Sequence, residues 1–135
     1  MTKPDNHGYS GKPLFQKLGL KPGMVCWPIH APPHYFDLIQ GATGVEYLTA
    51  AGPANIVHLF CSNRTALKDH YKVALENVVP KGMFWVSWPK KSSSKFVDLT
   101  EDGIRELILP TGWVDVKVCA VDQDWSGLKF LRRKA

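Results

Sequence analysis

Ile56-Val57-His58-Leu59-Phe60-Cys61, Ser62-Asn63, Arg64 to Val78, Pro80-Lys81-Gly82 and Met83-Phe84-Trp85-Val86-Ser87-Trp88 succeed one another in the middle of the chain. The first run is apolar, rich in β-branched and aromatic side chains, and of the length of a strand buried on both faces. Ser62 and Asn63 end it with side chains suited to accept the first free N–H groups of a helix. From Arg64 onward, Leu67, Tyr71, Ala74, Leu75 and Val78 recur at spacings of three and four, which draws one face of an α-helix. Lys68, Asp69, Lys72 and Glu76 fall largely elsewhere around it. Pro80-Lys81-Gly82 reads as a turn, and the second apolar run, closed by Pro89, as another buried strand. Strand, helix, strand in that order predicts a parallel pair joined by a crossover helix.

The same grammar extends in both directions. Toward the amino terminus, Leu14–Leu18 suggests a short helix closed by Gly19, and Met24–Ile29 a buried strand whose Pro28 limits ladder pairing. Ala31-Pro32-Pro33-His34 opens a helix with Tyr35, Phe36, Leu38 and Ile39 on its apolar side, and Gly41 and Gly44 stop it. Val45–Leu48 is a second strand, followed by a loop over Thr49–Pro53. Toward the carboxyl terminus, Lys90–Val97 is a polar loop. Thr100 caps a helix with Glu101 and Asp102 in its first turn, at the positive end of the dipole. Val114–Val121 and Leu128–Leu131 are strands joined by a turn at Asp122–Ser126. The order predicts an α/β domain: a mostly parallel sheet, helices on both faces, and a C-terminal antiparallel hairpin. One domain is expected over residues 14–135, with the polar, Gly- and Pro-containing segment 1–13 mobile.

With 135 residues, 44% apolar and 21% charged, the chain can bury roughly two-thirds of its unfolded surface and needs no disulfide or metal to hold a core. Cys26, Cys61 and Cys119 lie in apolar runs, an odd number without zinc spacing, and no apolar h-region occupies the start. Reduced thiols and a cytoplasmic location are expected, and no stretch is long and apolar enough to span a bilayer. The net charge of +5 is uneven. Residues 24–63 carry no Lys or Arg, whereas 80–95 hold Lys81, Lys90, Lys91 and Lys95 without an acid, and the tail ends in Arg132-Arg133-Lys134. That balance favours an anionic partner, a small molecule before a nucleic acid.

Two resemblances follow from particular strings. Leu20-Lys21-Pro22-Gly23, Val79-Pro80-Lys81-Gly82-Met83-Phe84-Trp85-Val86 and Gly112-Trp113-Val114-Asp115-Val116-Lys117-Val118 resemble the strand entries of the Rossmann-like methyltransferase fold. That resemblance implies the fold over residues 20–133. Its S-adenosylmethionine loop needs glycines after the first strand, where this chain has Ile29-His30-Ala31-Pro32-Pro33-His34, and an acid after the second, where it has Thr49. The cofactor site therefore does not carry over, and no cofactor is expected. Gly8-Tyr9-Ser10-Gly11-Lys12-Pro13-Leu14, Val86-Ser87-Trp88-Pro89-Lys90-Lys91, Asp98-Leu99-Thr100-Glu101-Asp102 and Trp125-Ser126-Gly127-Leu128-Lys129-Phe130 are similar to the signature strings of a family of small bacterial proteins built on a domain of unknown function. This second resemblance implies a bacterial cytoplasmic protein and no particular activity.

In a parallel sheet, ligands gather beyond the carboxyl ends of the strands. His30, Ser62, Asn63, Arg64, Lys90 and Lys91 are placed there, and Trp125, in the last turn, is read as an exposed ring beside them. The expected site is an anion pocket in which the lysines supply charge while Ser62, Asn63 and a helix N-terminus supply hydrogen bonds. His30 and His34 have a metal-binding spacing, but the prolines between them break the helix that would align it, so no metal is expected. His58, in a buried run, reads as a hydrogen-bonded core residue. Asp122, Asp124 and Lys129 would suit acid–base work only if they shared a cleft. The leading function is a non-catalytic binding module for an anionic small molecule; the alternatives are a divergent methyltransferase-like enzyme and a nucleic-acid-associated protein.

Overall fold

The computed structural model describes residues 11–134. Among these residues, six strands and four α-helices follow one another: α1 (Leu14–Leu18), β1 (Val25–Ile29), α2 (Tyr35–Leu38), β2 (Glu46–Tyr47), β3 (Ala54–Phe60), α3 (Arg64–Glu76), β4 (Val78–Pro89), α4 (Glu101–Ile108), β5 (Trp113–Ala120) and β6 (Trp125–Arg132). They form one sheet in the order β2-β1-β3-β4-β6-β5. The first four strands are parallel, and β6 runs antiparallel to both β4 and β5. The expected mobility of residues 1–13 falls almost wholly outside the described residues.

Sheet chemistry divides the core in two. On one face, Leu67, Ala74 and Leu75 of α3 and Ile104 and Ile108 of α4 pack on Val57, Leu59, Phe84, Val86, Leu128 and Phe130. On the other, Leu18 of α1 and Tyr35 of α2 pack with Cys26, Ile56, Phe60, Trp85 and Trp125. The alternation of side chains along each strand makes the division, so Phe84 and Trp85, adjacent in sequence, serve opposite layers. The prediction of helices on both faces therefore matches the molecule.

Local differences have identifiable causes. Pro80-Lys81-Gly82 is no chain reversal. It lies inside a continuous β4, where the pairing skips from Ala54↔Val78 to Ile56↔Met83, so the residues form an irregular bulge. Lys81 takes a left-handed φ of 68° there. A Cβ on Gly82 would stand 2.8 Å from the Asn55 carbonyl oxygen and 2.9 Å from that of Val79, so only glycine fits. The helix expected from Ala31 shrinks to four residues, because Pro32 and Pro33 shape the approach and α2 starts only at Tyr35. Pro28 is accommodated without ending β1: β1 pairs with β3 through Ile29, while β2 stops opposite Cys26. Pro28 has the parity of Cys26, whose carbonyl bonds toward β2, so its missing N–H faces ground that β2 never reaches. The last strand is longer than the apolar run Leu128–Leu131 suggests and begins at Trp125.

Burial fixes the chemistry of the thiols. Cys26 and Cys61 are fully buried, and loss of solvent pushes both thiols up to about 12. Cys119 is half-buried and also raised by burial, with Lys17 and Lys117 opposing the shift. A thiol-reactive dye is expected to modify Cys119 alone in the native protein and all three cysteines after denaturation. Rapid native labelling of Cys26 or Cys61 would contradict this packing.

Candidate functional site at the carboxyl rim of the sheet

The carboxyl ends of β1, β3 and β4 reach one rim, and the sequence-predicted residues divide among several tasks there. Asn63 is the N-cap of α3, its Oδ1 accepting from the Ala66 N–H at 2.8 Å. The Arg64 N–H, the next free donor, is already given to the Asp98 carboxylate at 2.9 Å. An internal anion thus occupies the place expected for an external one. Arg64 also lines a separate groove of about 220 Å³ between α3 and α4, with Leu67, Lys68, Leu99, Glu106 and Leu107. Ser62 is exposed beside the cap.

Lys90 and Lys91 line a larger groove of about 400 Å³ with Trp88, Thr100, Glu101, Asp102, Arg105 and Ser126. It lies where β4 ends, α4 begins and β6 starts. Arg105 adds little free positive charge, because Glu101, Asp102 (3.3 Å) and Asp115 (2.8 Å) all bind its guanidinium. The Asp115 carboxyl is held below its ordinary value chiefly by that Arg105 hydrogen bond. Glu101 and Asp102 turn to Arg105, and among the described residues neither forms an ion pair with Lys90 or Lys91. Lys95 pairs with Asp124 at 3.5 Å.

Trp125 corrects the expectation of an exposed ring. It is 7% exposed, part of β6, and packs edge-on against Phe60 at 5.2 Å. The turn before it is tied by Asp122, whose Oδ1 accepts from the backbone N–H groups of Asp124 and Trp125, both at 2.8 Å. That turn chemistry lets the strand, and the burial, begin at the tryptophan. Lys129 does not join Asp122 and Asp124 in a cleft. It stands mid-strand opposite Lys117, where burial first and then Lys117 and Lys21 lower its ammonium from the ordinary value.

The histidines separate as well. His30 follows β1 with a left-handed φ of 56° and meets His70 of α3 edge-on, ring centroids 4.6 Å apart. His34 turns away and bonds Asp122 at 2.9 Å, joining the β1–α2 loop to the β5–β6 turn. Among the described residues, no group of three or more metal-ligating side chains converges. His58 is the core histidine that its apolar surroundings predict. It is fully buried between the Tyr35 hydroxyl (3.0 Å to Nδ1) and Ser87 Oγ (2.7 Å from Nε2), and burial pushes it down to about 3. Local spacing gives no sign of Asp98, Thr100 or Ser126 at the rim, since the first two arrive on the segment leading into α4 and the third on β6.

Solved structures carry the comparison further. A methyltransferase from Aquifex aeolicus described as SAM-dependent superposes with a TM-score of 0.62 at 13% identity, covering 88% of this chain and 87% of that one. A magnesium protoporphyrin IX methyltransferase from Synechocystis PCC 6803, solved with bound SAM, gives 0.58 at 9% identity over 88% and 76% of the two chains. A fibrillarin pre-rRNA processing protein from Methanococcus jannaschii gives 0.57 at 9% over 96% and 72%. The fold is methyltransferase-like. No protein-family model and no curated sequence matches the chain. In the loop after β1, Pro32 and Pro33 offer no N–H, and Glu46, the acid of β2, lies within the strand. Among the described residues, no helix is long and apolar enough to cross a membrane.

Proposed function

We propose that this methyltransferase-like domain is a non-catalytic binding module for a small anionic molecule, held in the groove lined by Lys90 and Lys91. The observation that carries the reading is the groove itself: about 400 Å³ at the carboxyl rim, with two adjacent lysines while its arginine is already bound by three carboxylates. Trp88 gives the groove an apolar wall, and the Thr100 and Ser126 hydroxyls add hydrogen-bonding partners. The α3 N-terminus is excluded from the site, because Asp98 neutralises it. This reading suits a cytoplasmic bacterial protein.

A thermal-shift screen with nucleotides, sugar phosphates, inorganic phosphate and S-adenosylmethionine tests it. A phosphorylated compound is expected to raise the melting temperature, and Lys90→Ala plus Lys91→Ala is expected to weaken that compound by about tenfold or more. Unchanged affinity in the double variant would remove the groove as the site. Stabilisation by S-adenosylmethionine with methyl transfer to an acceptor would replace the reading with the enzymatic one.

A further inference from the structure

Helix α4 stands between two grooves. It gives Glu101, Asp102 and Arg105 to the lysine-lined one, and Gly103, Glu106 and Leu107 to the smaller one it shares with α3. The floor of the smaller groove is apolar: Leu67 of α3 and Leu99 are each 1% exposed, and Leu107 is half-buried. Gly103 adds no side chain there; a Cβ on it would stand 4.0 Å from Leu99 Cδ1. Arg64 and Lys68 lie one turn apart on α3, so both come to one face of the helix, and Glu106 lines the groove from α4. All three are exposed. Helix stability does not account for the two cations. Like charges four apart repel, and the first turn of a helix favours an anion, yet Arg64 opens α3 and no acid stands in its first turn. The Asp98 carboxylate takes the Arg64 backbone N–H and forms no ion pair with its guanidinium. Among the described residues, Lys68 and Glu106 likewise have no ion-pair partner.

We propose that the α3/α4 groove is a second binding site, for a free amino acid with an aliphatic side chain of about leucine's size. The ligand carboxylate goes to Arg64 and Lys68, its ammonium to Glu106, and its side chain onto Leu67, Leu99 and Leu107. Charge complementarity selects a zwitterion. A guanidinium fork matches a carboxylate, and Lys68 adds a second donor one turn along. Glu106 repels a second negative charge and accepts a cation in its place. The volume selects a small ligand, since about 220 Å³ falls below the roughly 300–1,000 Å³ of sites for drug-sized molecules. The three leucines select an apolar side chain over a polar one, because no polar group of the floor would satisfy it.

Isothermal titration calorimetry of the full-length protein tests the proposal with four probes. L-leucine should bind. Isocaproate, which lacks the ammonium, isoamylamine, which lacks the carboxylate, and glycine, which lacks the aliphatic body, should each bind about tenfold more weakly or worse. Glu106→Gln should weaken leucine about tenfold and leave isocaproate unweakened, a contrast that a misfolded variant could not produce. Arg64→Gln with Lys68→Gln should weaken leucine and isocaproate alike by about tenfold or more. Lys90→Ala plus Lys91→Ala should bind leucine as the parent does, so the rim groove and this one succeed or fail separately. The proposal is overturned if leucine does not bind, if isocaproate or isoamylamine binds as tightly as leucine, or if the Arg64 and Lys68 variant keeps the parent's affinity. Loss of leucine binding in the Lys90 and Lys91 variant would move the ligand to the rim groove and overturn it equally.

Discussion

Lowering the pH from 7.5 to 4.5 should cost the fold about 3 kcal/mol through His58 alone. Its imidazole is fully buried, bonded to Tyr35 and Ser87, and holds no proton until about pH 3, against an ordinary value of 6.5. Between those values the unfolded chain binds more protons than the folded one. The stability from His58 is therefore complete above pH 6.5, declines by about 1.4 kcal/mol per pH unit on acidification, and is exhausted near pH 3. Asp115 and Asp124, held below the ordinary 3.8 chiefly by hydrogen bonds from Arg105 and Ser93, add their losses only at the acid end of this range. Urea unfolding at several pH values should show this slope in the parent, and His58→Gln should flatten it by about 1.4 kcal/mol per unit, whatever its effect at neutral pH. Parallel curves for the two proteins would mean that His58 is not the group that resists protonation.

Trp85→Ala should remove roughly 3–5 kcal/mol, a large share of the 5–15 kcal/mol that holds a typical domain together. Trp85 is fully buried at the centre of the sheet, between His58 of β3 and Lys129 of β6. Its ring lies against Gly127, where a Cβ would come within 3.3 Å of Cε3 and Cζ3, and its indole N–H donates to the Leu18 carbonyl at 3.0 Å. The substitution therefore opens a cavity in the α1-side core and frees the bond that holds α1 down. Trp85→Phe, which keeps a ring but abandons that carbonyl, should fall between alanine and the parent. Urea midpoints measure all three, and an alanine variant within about 1 kcal/mol of the parent would show that this side of the sheet is not close-packed.

The strand–helix–strand centre was legible because its signals are local and agree with one another. Apolar runs give β3 and β4, spacings of three and four give α3, and Asn63 gives its cap. Thr100 marks α4 by the same means, its Oγ1 accepting from the Gly103 N–H. The features misread from sequence are those in which a local signal meets a distant constraint. Pro80-Lys81-Gly82 has the chemistry of a turn, yet pairing with β3 on both sides of it keeps the chain running straight through a bulge. Trp125 follows turn residues, yet Phe60, far away in sequence, supplies the surface that buries it.

The candidate site divides in the same way. The order of elements determines that His30, Ser62, Asn63, Lys90 and Lys91 come to the carboxyl ends of strands, because a parallel sheet with crossover helices sends those ends to one side. Which of them remain available to a ligand is decided only in three dimensions, where Asp98 reaches the α3 N-terminus, Asp122 takes His34, and three carboxylates close around Arg105. Periodicity and capping act over a few residues and can be read along the chain, whereas charge pairing and burial depend on which segments the fold brings together.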